Sequence, residues 1–465
     1  MVAMLGVGFY FLNKNKGADD YYVGGRQMSA GHIGLSVVAT DVGGGFSIGL
    51  GGLGFTIGLS GSWMLFTGLI GAWLAAVFLI PKIKGNKAFD KFHTFPQLFE
   101  YFYNKPVAIV AGIISAIGYL GFTSSQILAG AKLASGTFIE LDLTYALWIM
   151  GLVAVIYTVM GGIKAVIYTD TVQWIILMGG LIFIGIPMAY NSVGGWASIK
   201  ETLAPEMLTF SNIIWQDIVY YVVTIIPIWF VGMTLYQRIY ASRDVKTAKK
   251  AWFIAGLFEW PIMAFMGVAL GMMAKVAADQ GMFDYLGAAN ISETDPEQGL
   301  PMLLRTILPV GLLGLMMSAY FSAILSTADS CLMASSGNVV TDFIQKFTKR
   351  YNSDKSFMRL SQVVTLVIGL LAILLASTMT SVLNLMLYSY AFMVSGLFVP
   401  VLGALFWKKS SAAGAMAAML LGGSTTIFLS NAEIALPYEL NANVFGIGIS
   451  AISFILFSYL FPKTN

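Results

Sequence analysis

The feature that most constrains this chain is a series of long apolar runs separated by short polar segments. A helix needs about 20 residues to cross the hydrocarbon core of a bilayer, where only helices and closed barrels satisfy their backbone groups. The start, MVAMLGVGFYFL, is too short to span. We therefore predict an all-α polytopic membrane protein with a partial N-terminal helix and twelve full spans, near residues 32–58, 60–81, 106–135, 143–161, 164–189, 212–239, 250–275, 308–343, 359–378, 381–407, 411–431 and 441–461.

Composition supports a membrane protein and argues against several other classes. Soluble domains carry roughly 25% charged residues, whereas this chain has 11% charged and 57% hydrophobic residues. Its single cysteine, Cys331, excludes an intramolecular disulfide. The sequence has no phosphate-binding loop and no enzyme-like constellation, which argues against an ATP-driven pump or an enzyme. We predict no organic cofactor and no nucleic-acid partner, and the oligomeric state stays open.

Lysine and arginine are distributed unevenly between alternate loops. In the predicted topology, 22 of the 26 fall on one side, Arg238 among them, and only Lys132, Lys200, Lys275 and Arg305 fall on the other. Loops rich in lysine and arginine stay in the cytoplasm. We therefore predict a multi-pass protein of the cell membrane, surrounded by lipid, with most of its charged loops in the cytoplasm.

Carboxylates inside apolar runs are costly and mark functional sites. Asp41, Asp170 and Asp329 are the main ones, and Glu259 is a weaker case. Just after Asp41, the segment VGGGF (42–46) has three consecutive glycines, each lowering helix propensity by about 1 kcal/mol. We expect the helix to break there and to expose carbonyl groups in a cavity. Alternatively, the glycines permit close helix packing.

Hydroxyl and carboxylate groups share one helix face in the segment ILSTADSCLMASS. Ser326, Asp329 and Ser330 are spaced i, i+3 and i+4, and Thr327 lies beside them. Such an oxygen-rich face suits a hard cation. Alternatively, the hydroxyls bond carbonyl groups of their own helix.

Five stretches in chain order resemble the sodium:solute symporter family, which includes bacterial proline, sialic acid and galactose symporters. They are DDYYVGGRQMSAGHIGLSVVATDVGGG, YTVMGGIKAVIYTDTVQ, QRIYASRDVKTAKKA, LSTADSCLMASS and VPVLGALFWKKSSAAGA. The resemblance implies the leucine-transporter fold, with two inverted five-helix repeats. In this chain the segments would be the partial helix and cytoplasmic loop at 1–31, the first repeat at 32–190, an external loop at 191–211, the second repeat at 212–408 and two further helices at 409–465.

The resemblance also implies two cation sites. The shared sodium site would use the carbonyls of Ala39, Val42 and Ala323 and the hydroxyls of Ser326 and Thr327. Asp41 matches an acidic residue of the proline symporters. A second cation site would use Asp170, Ser326, Asp329 and Ser330. Two alternatives remain, because Asp170 and Asp329 could share a proton, or Asp329 could bond a neighbouring helix as a structural group.

The solute site implied by the resemblance is lined by side chains that are unusually apolar for a sugar site. Its candidate residues are Phe46, Ser62, Phe122, Trp229 and Tyr388. A zwitterion, a small carboxylate and a choline-like cation held by cation–π contacts all remain open. We predict a sodium-coupled symporter that takes up a small organic solute by alternating access. The alternatives are a proton-coupled symporter, a sugar symporter and a transporter-like membrane sensor.

Overall fold

A computed structural model describes residues 23–138, 140–287, 295–348, 353–432 and 434–463. Within these ranges, the side chains of residues 24, 41, 42, 45, 46, 160–171 and 354 lie outside the description. The predicted partial helix at the start of the chain lies outside the described residues.

The described residues fold almost entirely into helices, joined by one isolated parallel bridge between Met28 and Ser242. The principal helices are α1 (Ala30–Ile57), α2 (Trp63–Leu74), α3 (Lys105–Thr137), α4 (Leu143–Gly180), α5 (Trp215–Val231), α6 (Met233–Ala241), α7 (Val245–Leu257), α8 (Ala264–Asp279), α9 (Pro296–Ile307), α10 (Val310–Gly337), α11 (Asp354–Ala376), α12 (Val382–Phe406), α13 (Ala412–Asn431) and α14 (Ala442–Leu460). Shorter helices are Ile80–Ile83, Pro96–Phe102, Ile186–Ser192, Gly195–Thr202 and Gln345–Phe347.

Local sequence explains where several of these helices begin. Asn104 accepts a hydrogen bond from the Val107 amide at 3.0 Å and caps α3, whose first turn contains a proline. Ser381 caps α12 in the same way, through the Asn384 amide at 3.2 Å. These side chains satisfy amides that lack a partner within the helix, and proline has no amide to satisfy there.

Two helical runs are broken at glycine near the middle of the molecule. In α1, Gly43 has φ +33° and ψ −161°, a left-handed conformation that side chains other than glycine rarely adopt. Between α5 and α6, Gly232 is extended and the axis bends by 41°. The predicted break of the first helix at VGGGF is thus confirmed.

The helices pack in two groups that meet at the broken helix α1. One group contains α3, α4, α10 and α11, and the other contains α1, α2, α5, α7 and α8. Helix α1 also contacts α3 and α10 of the first group. The break at Gly43 therefore lies where the two groups meet.

Fewer helices than predicted are long and apolar enough to span by themselves. Among the described residues there are nine, or ten if the bent pair of α5 and α6 counts as one. Helix α4 contains all of the predicted span 143–161 and most of the predicted span 164–189, and a π-helical turn at Leu181–Gly185 joins it to Ile186–Ser192. The apolar pieces Ala30–Thr40 and Leu143–Val159 are shorter than a span. The count of twelve and the inverted repeat stay predictions.

Two of the residues in the charge count lie inside the helix bundle. Arg238 belongs to α6 and is fully buried, and Lys132 belongs to α3 and is 3% exposed. Both positions fall within the predicted spans 106–135 and 212–239, and the side of the membrane assigned to the charged loops stays a prediction.

Candidate functional site

The break in α1 brings carbonyl and hydroxyl oxygens of two helices together. Thr327 of α10 donates from Oγ1 to the carbonyl of Ala39 at 2.8 Å, and it also lies 3.3 Å from the carbonyl of Ala323. Ser326 donates to the same Ala323 carbonyl at 3.1 Å. A Cβ at Gly43 would lie 2.6 Å from Thr327 Oγ1, so this close approach requires glycine. The group is buried and contains the kind of oxygen that binds a hard cation.

The other residues predicted near the break are only partly described. Val42 directly precedes Gly43 in α1, and its side chain lies outside the description, as do those of Asp41 and Phe46. The Asp170 side chain on α4 also lies outside it. The structure describes only the backbone of these residues, which lies in α1 for the first three and in α4 for Asp170, and their proposed roles stay predictions.

One face of α3 connects the two broken runs. Gln126 accepts a hydrogen bond from the Gly44 amide through Oε1 at 2.8 Å. Tyr119, two turns earlier, accepts one from the Thr234 amide at 3.2 Å, just after the break at Gly232. Phe122 lies between them on the same face of the helix. This face therefore contacts α1 just beyond its break and α6 at its start.

Tyr119 and Gln126 were missed by the sequence analysis. Both are buried, with 1% and 0% of their surfaces exposed. The signal available was their polarity inside the apolar run GYLGFTSSQILAG, where a buried polar group needs a specific partner. Their spacing of seven residues would have placed them on one helix face.

Of the aromatic candidates for the solute site, Tyr388 lies at the surface and Phe122 packs against a different tyrosine. Tyr388 is 52% exposed, so it does not line an enclosed site. Instead, Tyr390 is buried, and its ring meets Phe122 edge to face with centroids 4.9 Å apart. Side chains two positions apart on a helix point in directions about 200° apart. Tyr388 and Tyr390 therefore face opposite ways, and a sequence alone does not show which of them faces inward.

The other two candidate solute contacts have local partners. The Ser62 hydroxyl donates to the carbonyl of Leu59 at 2.8 Å in the turn before α2. Trp229 is fully buried in α5 and meets Trp252 of α7 with ring centroids 6.4 Å apart. A Cβ at Gly71 of α2 would overlap the Trp229 ring. Trp229 therefore packs between α2 and α7, and its contact with the solute stays a prediction.

Asp329, a candidate ligand of the second cation, contacts a neighbouring helix. Its Oδ1 accepts a hydrogen bond from Thr158 of α4 at 2.5 Å, and both residues are buried. Thr158 precedes Asp170 by twelve residues in the same helical run. The bond matches the alternative in which Asp329 joins two helices.

Arg238 of α6 holds the Ser330 hydroxyl that was predicted to bind a cation. Its guanidinium donates to Ser330 at 2.9 Å, to Thr40 at 2.6 Å and to Ser36 at 3.2 Å. It also donates to the carbonyl of Thr234 at 3.2 Å. We call Ser36, Thr40, Arg238 and Ser330 the Arg238 cluster. A second cation on Ser330 would face this guanidinium, and the two charges would repel strongly in a buried site.

A second buried cation, Lys132 of α3, lies toward the other end of α1. Its Nζ is 2.6 Å from Glu297 Oε2 and 2.8 Å from Asp295 Oδ2. Glu297, in the first turn of α9, also accepts hydrogen bonds from the Ser381 hydroxyl and the Leu383 amide at 3.0 Å, and from the Val382 amide at 2.9 Å. We call Lys132, Asp295, Glu297 and Ser381 the Lys132 cluster.

The Lys132 cluster closes one wall of a cavity between α1 and α12. The cavity has a volume of about 630 Å³, and its walls include Gly49 and Gly52 of α1 and Asn384 of α12. Glu297 binds the amides at the start of α12, where the helix dipole favours negative charge. The loop helix α9 is thereby tied to both α3 and α12.

Comparison with known proteins supports one family over most of the chain. The model of the sodium:solute symporter family matches residues 21–422. The high-affinity proline transporter PutP of Bacillus subtilis is 28% identical over 444 residues, covering 93% of this chain and 91% of that protein. The sodium/glucose cotransporter of Vibrio parahaemolyticus is 25% identical over 479 residues, covering 94% and 84%. These relatives are transporters and not enzymes.

The fold matches a solved symporter along its whole length. A substrate-bound, outward-open structure of a sodium-coupled sialic acid symporter superposes with a TM-score of 0.81 at 23% identity, covering 100% of this chain and 97% of that one. At this identity the likeness shows the fold alone. The match to the family model spans far more than the five stretches noted in the sequence, so the resemblance is confirmed: this protein belongs to the sodium:solute symporter family, integral membrane proteins that couple solute uptake to sodium.

Proposed function

We propose that this chain moves one sodium ion together with one small zwitterionic amino acid, proline being the first candidate. The observation that carries the proposal is the Thr327–Ala39 contact of 2.8 Å at the Gly43 break. With a sodium ion bound, the Thr327 hydroxyl would turn its proton away and offer a lone pair together with Ser326. The carbonyls of Ala39, Val42 and Ala323 would complete the ligand set.

The α3 face supports a zwitterion as the solute. The second half of α1 begins at Gly44, whose amide donates to Gln126, and the positive end of this half-helix favours a carboxylate nearby. The edge-to-face pair of Phe122 and Tyr390 offers an apolar wall, whose aromatic rings also attract a cationic amine. Proline combines a carboxylate, an apolar ring and a cationic amine in a compact molecule. Several relatives are named as proline transporters.

A single sodium ion is favoured by the partners of the second-site candidates. Ser330 is bonded to Arg238 at 2.9 Å, and Asp329 is bonded to Thr158 at 2.5 Å. A cation there would have to displace a buried guanidinium from its hydroxyl. We propose that Asp329 joins α10 to α4, while Asp170 contributes near the sodium pathway.

Uptake by purified protein in liposomes tests this function. Labelled proline should accumulate under an inward sodium gradient with a Hill coefficient for sodium near one. It should not accumulate under a proton gradient alone, and glucose should not accumulate under either. Accumulation driven only by protons would favour the proton-coupled alternative. If proline and other small solutes bind without moving, the transporter-like sensor is favoured.

Variants of α10 test the sodium site itself. Ser326→Ala combined with Thr327→Val should raise the sodium concentration for half-maximal uptake at least tenfold, because each unpaired buried ligand costs about 1–3 kcal/mol. Ser318→Ala, on the exposed face of the same helix, is the matched control and should leave that concentration unchanged. An unchanged sodium dependence in the double variant would refute the placement.

A further inference from the structure

A lysine-lined groove lies on the outer surface between α2 and α7, away from the proposed transport site. Its volume is about 830 Å³, and its walls include Trp73, Lys246, Lys249, Lys250, Phe253 and Leu257. We call it the α2–α7 groove. It combines three cationic side chains with a large apolar wall, a combination that neither the sodium site nor the solute site uses.

Helical spacing orders the groove from charged to apolar. Lys246, Lys250, Phe253 and Leu257 recur at intervals of four, three and four residues, so they share one face of α7. All four are exposed, and Lys249 beside them is half-buried. The distance from Lys246 to Leu257 is about 16 Å along the helix, roughly the depth of one leaflet of a ~30 Å hydrocarbon core.

An aromatic pair forms the floor where the charged part of the groove meets its apolar part. The indole of Trp73 donates to the carbonyl of Phe253 at 3.3 Å, and the two rings meet edge to face with centroids 5.9 Å apart. Tryptophan concentrates at the boundary between lipid headgroups and acyl chains. The lysines of the groove therefore lie at headgroup level when α7 spans the bilayer.

We propose that the α2–α7 groove binds a phospholipid with an anionic headgroup. The lipid phosphate would lie among Lys246, Lys249 and Lys250, and one acyl chain would follow Phe253 and Leu257. Basic pockets between membrane helices bind anionic headgroups in this way. A soluble phosphate would use the lysines but leave the apolar wall exposed, so charge and shape together favour a lipid.

The bound lipid would hold α7 against α2. The opposite face of α7 carries Trp252, which meets Trp229 of α5 inside the protein. A lipid bridging Trp73 and Phe253 would therefore stabilise the packing of three helices of the group that contains α1. We expect the folded state to be more resistant to heat when the groove is filled.

Native mass spectrometry of the full chain in detergent tests the site. Phosphatidylglycerol should bind more tightly than phosphatidylcholine with the same acyl chains. The triple variant Lys246→Gln, Lys249→Gln, Lys250→Gln should lose about tenfold or more of this affinity, because each lysine near an anionic lipid contributes appreciably to its attraction. The triple Lys→Arg variant should keep it, which separates lost charge from lost folding.

A matched triple variant controls for general surface charge. Lys82, Lys408 and Lys409 are exposed at the same end of the molecule but outside the groove; Lys82 lies over the ring of Phe406, the last residue of α12. Their replacement by glutamine should change phosphatidylglycerol affinity less than twofold. Equal losses in both triple variants would overturn the proposal in favour of a diffuse charge effect.

The apolar wall distinguishes a lipid from a soluble anion. Leu257→Ser should weaken phosphatidylglycerol binding and abolish the thermal stabilisation by this lipid, while phosphatidylcholine stays without effect. If glycerol 3-phosphate or inorganic phosphate stabilises the protein as much as the lipid does, the groove is an anion site and the lipid proposal fails.

Discussion

Two buried cations lie on opposite sides of the α1 break, and they are held in different ways. Arg238 contacts Thr40, three residues before Gly43, whereas Lys132 and Glu297 lie beside Gly52, nine residues after it. Along α1 this separation is about 18 Å. The proposed sodium site lies at the break, directly beside the Arg238 cluster.

The difference lies in the partners. Lys132 is paired with two carboxylates, and one of them, Glu297, also accepts from Ser381 and two amides. Arg238 donates to three hydroxyls and one carbonyl, which belong to three helices. The Lys132 cluster thus centres on Glu297, which binds both the lysine and the start of α12, whereas Arg238 donates to several hydroxyls on neighbouring helices.

The largest effect is expected from Glu297→Gln. It leaves Lys132 with only the partly exposed Asp295 and weakens three further bonds, at a cost of about 3–5 kcal/mol for one partner of a buried pair. Thermal unfolding in detergent should show a large fall in Tm. Asp295→Asn is the matched control and should cost much less, because its side chain is 37% exposed.

The partner variant Lys132→Met sharpens the same comparison. Glu297 would retain its bonds to Ser381 and to the amides of α12, so Lys132→Met should destabilise less than Glu297→Gln. If the lysine variant is the more damaging of the two, the cluster does not depend on Glu297 in the way we describe.

A smaller effect is expected from Arg238→Lys at the other end. The single ammonium cannot reach three hydroxyls on two helices, and each lost charged hydrogen bond costs about 1.5–3 kcal/mol, offset in part by the bonds that lysine keeps. Both Tm and the uptake rate should fall. Arg243→Lys, at an arginine that is 67% exposed, should change neither. If Arg238→Lys lowered Tm as much as Glu297→Gln does, the two clusters would contribute equally to stability.

Thr158→Val is expected to have a still smaller effect, because it removes a single hydrogen bond, the one to Asp329, and changes neither of the two clusters. The expected loss is about 1–3 kcal/mol of stability, since a buried carboxylate oxygen loses its donor. The sodium Hill coefficient should not change if Asp329 joins helices. Thr365→Val, whose hydroxyl bonds its own helix at Ser361, is the matched control. A changed Hill coefficient would return Asp329 to the cation pathway.

The smallest effect is expected from the exposed ion pair of Arg243 and Asp244, just before α7. Asp244 caps α7, and the Thr247 amide, its hydroxyl and Arg243 together lower the pKa of Asp244 to about 2. The stabilisation of the folded state by the ionised Asp244 carboxylate is therefore complete above the usual aspartate pKa of about 4, and it disappears as pH falls through about 2. Arg243→Gln should leave unfolding at neutral pH unchanged, because solvent screens exposed pairs. A clear loss of Tm would contradict this.

Several features could be predicted from local sequence. The glycines of VGGGF lower helix propensity wherever they stand, and Gly43 is where α1 breaks. The spacing of Ser326 and Thr327 puts two hydroxyls near one face of a helix, and the structure brings them to the Ala39 and Ala323 carbonyls. Both arguments need only the geometry of one helix.

Tertiary structure alone decided which residues meet across helices. Tyr388 and Tyr390 have the same chemistry, yet only helix rotation puts Tyr390 against Phe122. Likewise, Arg238 ends beside Ser330 because α6, α1 and α10 converge there. Propensity and periodicity are properties of neighbouring residues, whereas helix rotation and the pairing of buried charges depend on contacts between segments more than 90 residues apart, whose packing is settled only when the whole chain folds.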